Sequence, residues 1–553
     1  MTTRSDREAR GLRHHSRGYH PRRHRLRARG LAGALLFGAW LAGPALAAPA
    51  PRLDFTPEQL ALADAVAGNP GLAAFYGANG LAPVFTGPDA AGRRQALIAA
   101  VARAPAHGLP SARYRPAELQ ATDARGASAG ADEVAFARAF AAWAHDVEGG
   151  VVDPRKLGPS NHRTVRRSDL DDLLARFVSA PDPRAVLAGI EPRDSRYLAL
   201  QAALADQSRL LAPPGTVKVP PGLWKPGSSG PEVAALRTRL ASIGFRTDGG
   251  DLYDEPLAQA VRAYQERAGL GPDGVAGPRT VELLNRGAGP RTRALLMALE
   301  RMRWMNGHDL SARHVWVNLP EFNARIVDHG RTEFETRVVV GKTDANMQTP
   351  EFSDQMEHLV VNPRWNVPRS IAVREYLPRL QKNRNAVTHL DVVDRAGRVV
   401  PRGDIDFGRY TPASFPYRLQ QKPGEDNALG EVKFIFPNPW NIYLHDTPSK
   451  HLFGESRRAF SHGCVRVARP MELAQALLTG QVENPAATYS RAVASGKETW
   501  LALKPNLPVH LVYFTTFPDE DGRIRSHPDI YDRDGALWQA LVKAGVESGD
   551  GDG

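Results

Sequence analysis

The hydrophobic period changes along this chain, and the change divides it. Up to about residue 287, apolar residues recur three and four apart, as on amphipathic helices. From residue 314 they alternate or run together in short β-branched stretches. In "EVAFARAFAAWAHDV" (133–147), Val134, Phe136, Phe140, Trp143 and Val147 fall on one broad helical face. Residues 55–215 read as a helical domain punctuated by "GNPG" and "GLPS", with no catalytic signature of its own. A Pro/Gly-rich joint, "APPGTVKVPPG" (212–222), leads into a compact unit at 223–287. There Pro231 starts a helix with Val233, Leu236, Leu240 and Ile243 inward and Gly244 as its stop. Pro256 starts a second, with Leu257, Ala260, Val261 and Tyr264 inward and Gly269 after it. "PDGVAGPRTVELLN" (272–285) supplies a turn and a short third helix.

Beyond residue 312, "HVWVNL" (314–319), "RTEFETRVVV" (331–340), "EVKFIF" (431–436) and "LPVHLVYFTTF" (507–517) have strand composition, and "DHG" (328–330) sits where a hairpin turns. A mainly β domain over 312–517 follows, as two packed sheets or a barrel. One helix interrupts it, starting at Pro470, with Met471, Leu473, Leu477 and Leu478 as its stripe and Gly480 as its stop. Between about 377 and 427 the strand signal thins. "VVPRGDIDFGRYTPASFPYRLQQKPGED" (399–426) is rich in Pro, Gly and charge and reads as a lid-like insertion, with a disordered loop as the alternative. Residues 518–553 form a C-terminal extension. The fold class is multidomain α+β: a helical domain, a three-helix unit and a mainly β domain with a long insertion.

The N-terminus sets the compartment. "RRHRLRARG" (22–30), the apolar run "LAGALLFGAWLAGPALA" (31–47) and Ala45-Leu46-Ala47 have the order of an export signal over 1–47. The 17-residue run is shorter than the roughly 20 residues that span hydrocarbon, so cleavage is expected, with an inner-membrane anchor as the alternative. The net charge of +11 mostly describes this leader. Residues 1–30 hold 10 of 71 basic and 2 of 60 acidic residues, leaving 61 against 58. No basic stripe remains to neutralise phosphates, which excludes a nucleic-acid partner argued from charge. An exported chain meets oxidising conditions. Its single cysteine, Cys464, can form no internal bridge, so it is buried and inert or it is used.

The surroundings of that cysteine favour use. Cys464 closes "SHGC" (461–464), where Gly463 allows a close approach or a positive φ. In "NIYLHDTP" (441–448), Tyr443 and His445 alternate along a strand and share a face. A thiol at its ordinary pKa of about 8.5 is roughly 3% thiolate at pH 7, so a cysteine nucleophile needs an imidazole within hydrogen-bond reach. His445 and His462 are the two on offer.

"HDTP" followed by "SHGCVR" resembles the L,D-transpeptidase family with the YkuD-type catalytic domain. Its pattern is a histidine, about 14 to 17 residues, then Ser/Thr-His-Gly-Cys, and 15 residues separate His445 from Ser461. "SSGPEVAALRTRLASIGF", "AVRAYQERAGL" and "PDGVAGPRT" resemble the peptidoglycan-binding module of cell-wall enzymes. Together with the helical domain, now a scaffold, they resemble the large Gram-negative periplasmic members. The resemblance implies Cys464 as nucleophile and His445 as its base, oriented by a main-chain carbonyl rather than by Asp446. It implies an oxyanion hole from the N–H groups of Gly463 and Cys464, with Ser461, His462 and Tyr443 lining the pocket. Arg466 stands where many members have Asn; it would hold a substrate carboxylate in a fork or pin the loop. The implied reaction is acyl transfer from a tetrapeptide stem to a diaminopimelate amine, with no metal or cofactor and with acylation by carbapenems. The implied partners are stem peptides, glycan strands and peptidoglycan synthases.

The rivals are water as acceptor, making an L,D-carboxypeptidase; a Cys/His peptidoglycan peptidase, whose common version places cysteine before histidine; and a non-catalytic wall-binding protein. A metal site could draw on His445, Asp446, His451, His462 and Cys464, but none has the paired spacing of zinc ligands.

Overall fold

The computed structural model describes residues 55–87, 89–128, 130–209, 217–286 and 290–546. The export-signal reading of 1–47 lies outside them. No helix among the described residues is long and apolar enough to cross a membrane.

The first domain is helical, from Pro57–Val66 to Ser195–Ser208. Its central helix, Gly130–Gly149, fully buries Phe136, Phe140, Trp143 and Val147 against Phe85 and Phe177, with Val134 at the edge of the cluster. A polar contact that periodicity could not show locks the packing. The buried Glu133 carboxylate accepts the N–H groups of Val84, Phe85 and Thr86, each at 2.8 Å, and the Tyr76 hydroxyl as well. A buried carboxylate persists only with such partners.

The second unit packs Pro231–Ser242, Glu255–Ala268 and Pro278–Arg286. Val233, Leu236, Leu240, Ile243, Leu257, Val261 and Tyr264 form its core, with Ala260 partly buried against them. Gly269 ends the second helix at φ +78°, the left-handed cap that glycine takes without strain. A further helix, Pro290–Arg303, leads into the catalytic region. Its fully buried Glu300 pairs with Arg303 at 2.6 Å and accepts the Val152 N–H of the helical domain at 2.8 Å.

Twelve of the fourteen strands among the described residues build the barrel and its insertion. β1 is His314–Asn318, β2 Asn323–Asp328, β3 Arg331–Gly341, β4 Phe352–Val361, β5 Trp365–Asn366 and β6 Asp391–Val393. β7 is Arg418–Gln421, β8 Val432–Ile435, β9 Leu444–His445, β10 Ala459–Ser461, β11 Val465–Val467 and β12 Thr499–Val512. The main sheet runs β3-β11-β9-β8-β4-β12-β1-β2, and β2 pairs back onto β3, with β10 added beside β3. Eight strands therefore close on themselves, and of the two open alternatives the barrel is the one formed. The β2–β3 turn places His329 at φ +48° and Gly330 at φ +75°, the two left-handed residues that a tight hairpin requires.

Two expectations change. The helix Pro470–Leu478 buries Leu473, Ala474, Leu477 and Leu478 and leaves Met471 46% exposed. Met471 and Leu473 are two positions apart, about 200° around the helix, so they cannot share a face. The insertion is a packed subdomain that begins earlier than residue 377. β5, β7 and β6 form a small sheet beside a helical segment over 369–382. Its own core gathers Trp365, Leu377, Leu380, Val392, Phe407, Phe415 and Leu419. These apolar residues are spread through polar sequence without a period, which is why the segment reads as loop. The C-terminal region also folds: the helix Arg533–Lys543 buries Leu537 and Leu541 in a cluster shared with Trp304, Trp316 and Leu204.

Candidate active site

Strand alternation and register assemble the site. β9 and β11 run parallel with Arg466 beside His445, while β8 runs antiparallel to β9 with Lys433 beside His445. Arg466, His445 and Lys433 thus form one cross-strand rung. Leu444, Val465 and Phe434, one residue away on each strand, are buried in the barrel core. Tyr443 and Cys464 precede His445 and Arg466 by two residues each, so they return to the rung's side of the sheet. All five side chains line one cavity of about 860 Å³.

His445 is buried, and its Nδ1–H donates to the main-chain carbonyl of Asp446, which leaves Nε2 as the basic nitrogen. The Asp446 carboxylate turns elsewhere, accepting the N–H groups of Glu431 at 2.9 Å and Thr447 at 2.6 Å and pairing with Lys450. Tyr443 meets the imidazole edge-on, with ring centres 5.7 Å apart. Burial, and then the Arg466 guanidinium, push the His445 pKa down to about 3. Burial lifts the Cys464 thiol to about 11, although Arg466 and Lys433 pull against it. Burial disfavours both charges, and two neighbouring cations oppose a third on the imidazole.

Cys464 is half-buried, and its thiol donates to the Asn441 carbonyl at 3.5 Å. No hydrogen bond joins it to His445 in this state. Gly463 stands at φ +114°, and a Cβ there would lie 3.1 Å from Ile442 Cδ1. Its N–H donates to Ser461 Oγ at 3.1 Å, and Ser461 Oγ–H donates onward to the Cys464 carbonyl. The Gly463 N–H is thus engaged by the serine two residues before it. Ser461 is therefore a brace across the turn. The Cys464 N–H has no acceptor among the described residues. Thr349 Oγ1–H holds the Gly463 carbonyl at 2.8 Å from the barrel side.

His462 is engaged from the insertion. Its Nε2 lies 2.6 Å from Glu375 Oε1, on the helical segment of the insertion. Arg466 has no carboxylate partner among the described residues, and its buried Nε lacks any hydrogen bond. Of the two readings for it, the loop salt bridge is not formed. No three of the His, Cys, Asp and Glu side chains among the described residues converge as metal ligands would.

Sequence reasoning missed Lys433, Glu375, Asn441, His162 and Trp440, which also line the cavity. Alternation in "EVKFIF" already places Lys433 opposite Val432 and Phe434, but only the register sets it beside His445. The Lys433 ammonium lies 5.8 Å from the ring centres of both Tyr443 and Trp500 without a carboxylate contact, and burial lowers its pKa.

The closed barrel turns a braced thiol, a tautomer-fixed imidazole and two cations into one cleft. Comparison with known proteins gives the family. Residues 312–485 match the model described as the L,D-transpeptidase catalytic domain, YkuD; residues 229–284 match "Putative peptidoglycan binding domain", and residues 70–204 match "Scaffold domain". The chain carries an L,D-transpeptidase catalytic domain joined to a scaffold domain and a peptidoglycan-binding domain. A Haemophilus influenzae protein named "Putative L,D-transpeptidase" is 36% identical over 251 residues, covering 44% of this chain and 48% of that protein. The N-acetylmuramoyl-L-alanine amidase CwlL of Bacillus licheniformis is 42% identical over 67 residues, 11% of this chain and 18% of that one. The chain thus spans about half, or less, of the curated relatives it matches. A crystal structure of an L,D-transpeptidase from Xylanimonas cellulosilytica aligns at 18% identity and a TM-score of 0.15, covering 54% of this chain and all of that one; it carries no argument. The family implies an extracytoplasmic location.

Proposed function

We propose that this protein is a periplasmic L,D-transpeptidase that forms 3–3 cross-links in peptidoglycan, with Cys464 as nucleophile and His445 as base. In the first step, Cys464 Sγ attacks the carbonyl at the L-centre of diaminopimelate in a tetrapeptide stem. The S–C bond forms as the proton passes to His445 Nε2, and the C–N bond to the terminal D-Ala breaks as its amine takes that proton. In the second step, the side-chain amine of another diaminopimelate attacks the thioester and expels the thiol. The Cys464 N–H meets the developing oxyanion. Arg466, with Lys433 across the rung, holds a substrate carboxylate. The 229–284 domain keeps the enzyme on its glycan, and the insertion walls the cleft through Glu375 and Tyr376.

One observation carries this reading: the Asp446 carbonyl fixes the His445 tautomer so that its basic nitrogen belongs to the cavity into which Cys464 opens. Apo active sites often show catalytic hydrogen bonds long or unmade until substrate arrives. The test is intact mass after exposure to a carbapenem. One covalent adduct on wild type and none on Cys464→Ala is expected; an unmodified wild type overturns the assignment. Incubation with tetrapeptide-rich sacculi then separates the acceptors, since released D-Ala without new cross-links means water is used.

A further inference from the structure

The cleft is not built by the catalytic domain alone. Pro159, Ser160 and His162, from the irregular stretch of the helical domain, line the same cavity as Cys464. That stretch is keyed to the barrel. The His162 N–H donates to the Glu351 carbonyl at 2.9 Å, and the Glu351 N–H donates to the Ser160 carbonyl at 2.8 Å. The next residue, Arg163, is buried and gives its guanidinium to the Leu511 carbonyl at 2.6 Å and to Ser353 Oγ at 3.1 Å. So anchored, the His162 ring lies flat on Trp440, with centres 4.1 Å apart and planes at 15°.

Trp440 belongs to the turn "PNPWN" (437–441). Asn438 Oδ1 ties this turn by accepting the N–H groups of Trp440 at 3.2 Å and Ile442 at 3.1 Å. Asn441 stands at φ +55°, a region that side-chain-bearing residues seldom occupy, and its carbonyl is the acceptor of the Cys464 thiol. A continuous line of contacts therefore runs from the helical domain to the sulfur.

We propose that His162 is a positioning residue of the catalytic site: stacked on Trp440, it holds the 437–441 turn, and through the Asn441 carbonyl it sets the orientation of the Cys464 thiol. The scaffold is then a working part of the catalytic unit. The proposal rests on Cys464 being the nucleophile. Displacing a reacting atom by about 1 Å can cost on the order of 100-fold in rate, so a loosened turn has room to matter. The other groups facing the thiol are Tyr443, His445, Lys433 and Arg466.

The experiment uses the full chain as wild type, His162→Ala, His162→Phe and Trp440→Leu. Acylation by a carbapenem is followed by intact mass, and alkylation of Cys464 by iodoacetamide is followed across pH. His162→Ala should be acylated roughly tenfold more slowly. Its alkylation midpoint should move to lower pH, because a carbonyl that stabilises the protonated sulfur is displaced. His162→Phe keeps the stack without the imidazole chemistry and should restore both readouts; Trp440→Leu should behave as His162→Ala. If His162→Ala does not fold, the other two variants decide. Wild-type acylation in His162→Ala, or His162→Phe as slow as alanine, overturns the proposal. A wild type that takes no carbapenem sinks the transpeptidase reading, while an alkylation midpoint that follows the stack still supports positioning.

Discussion

At the scale of single residues, the two candidate bases differ in what holds them. His445 is fixed by a main-chain carbonyl inside the cleft, whereas His462 is engaged by Glu375. His445→Ala should therefore slow carbapenem acylation far more than His462→Ala; the opposite ranking in stopped-flow or mass kinetics would exchange their roles. Burial pushes the imidazole down to about 3 and the thiol up to about 11, so in the proposed mechanism the proton moves as sulfur attacks rather than beforehand. The acylation rate should stay level between about pH 5 and about pH 9. A bell-shaped profile with both limbs inside that window would show a preformed ion pair instead. Gly463→Ala is a third test. It forces a side chain to φ +114° and crowds Ile442, which costs about 1–3 kcal/mol and misplaces the sulfur. Thermal melts and acylation should both report the loss.

At the scale of elements, the insertion carries its own core and touches the "SHGC" turn through the Glu375–His462 pair. That pair is largely exposed and adds little stability; the insertion stands on its apolar cluster. Phe415→Ala removes a fully packed ring, and a change of this kind costs about 3–5 kcal/mol. Limited proteolysis followed by mass analysis should find the new cleavages within 365–429 while the barrel stays whole. Cleavage spread equally through the barrel would mean the two share one cooperative unit. The element boundaries also show where sequence reading works. Helices announced by Pro and closed by Gly, such as Pro231–Ser242 and Glu255–Ala268, are set by short-range signals. The insertion has no such period, because its core residues meet only after the chain has folded back.

For the whole molecule, several buried imidazoles are held neutral by burial. His107 and His308 are each lowered to about 4, His445 is lowered to about 3, and His314 and His510 also fall below the ordinary value. In each case the unfolded chain binds the proton more readily. Their contribution to stability is complete above the unfolded pKa of about 6.5 and is lost as pH falls through the window toward 4. The urea midpoint should accordingly drop between pH 8 and pH 5, and an unchanged midpoint would show these rings to be hydrated in solution.

The sequence alone determined the order of domains, the helical and strand periods, and the candidacy of one thiol and a histidine nineteen positions upstream, since each is written in short local motifs. Tertiary structure decided what surrounds that pair: closure of the barrel, the serine that occupies the Gly463 N–H, the cations beside His445, and the scaffold histidine laid on Trp440. The serine lies two residues from Gly463, but Lys433 is 12 positions from His445 and His162 is 278 from Trp440. Register and packing, rather than any local pattern, bring them together, so the linear chain carries no trace of them.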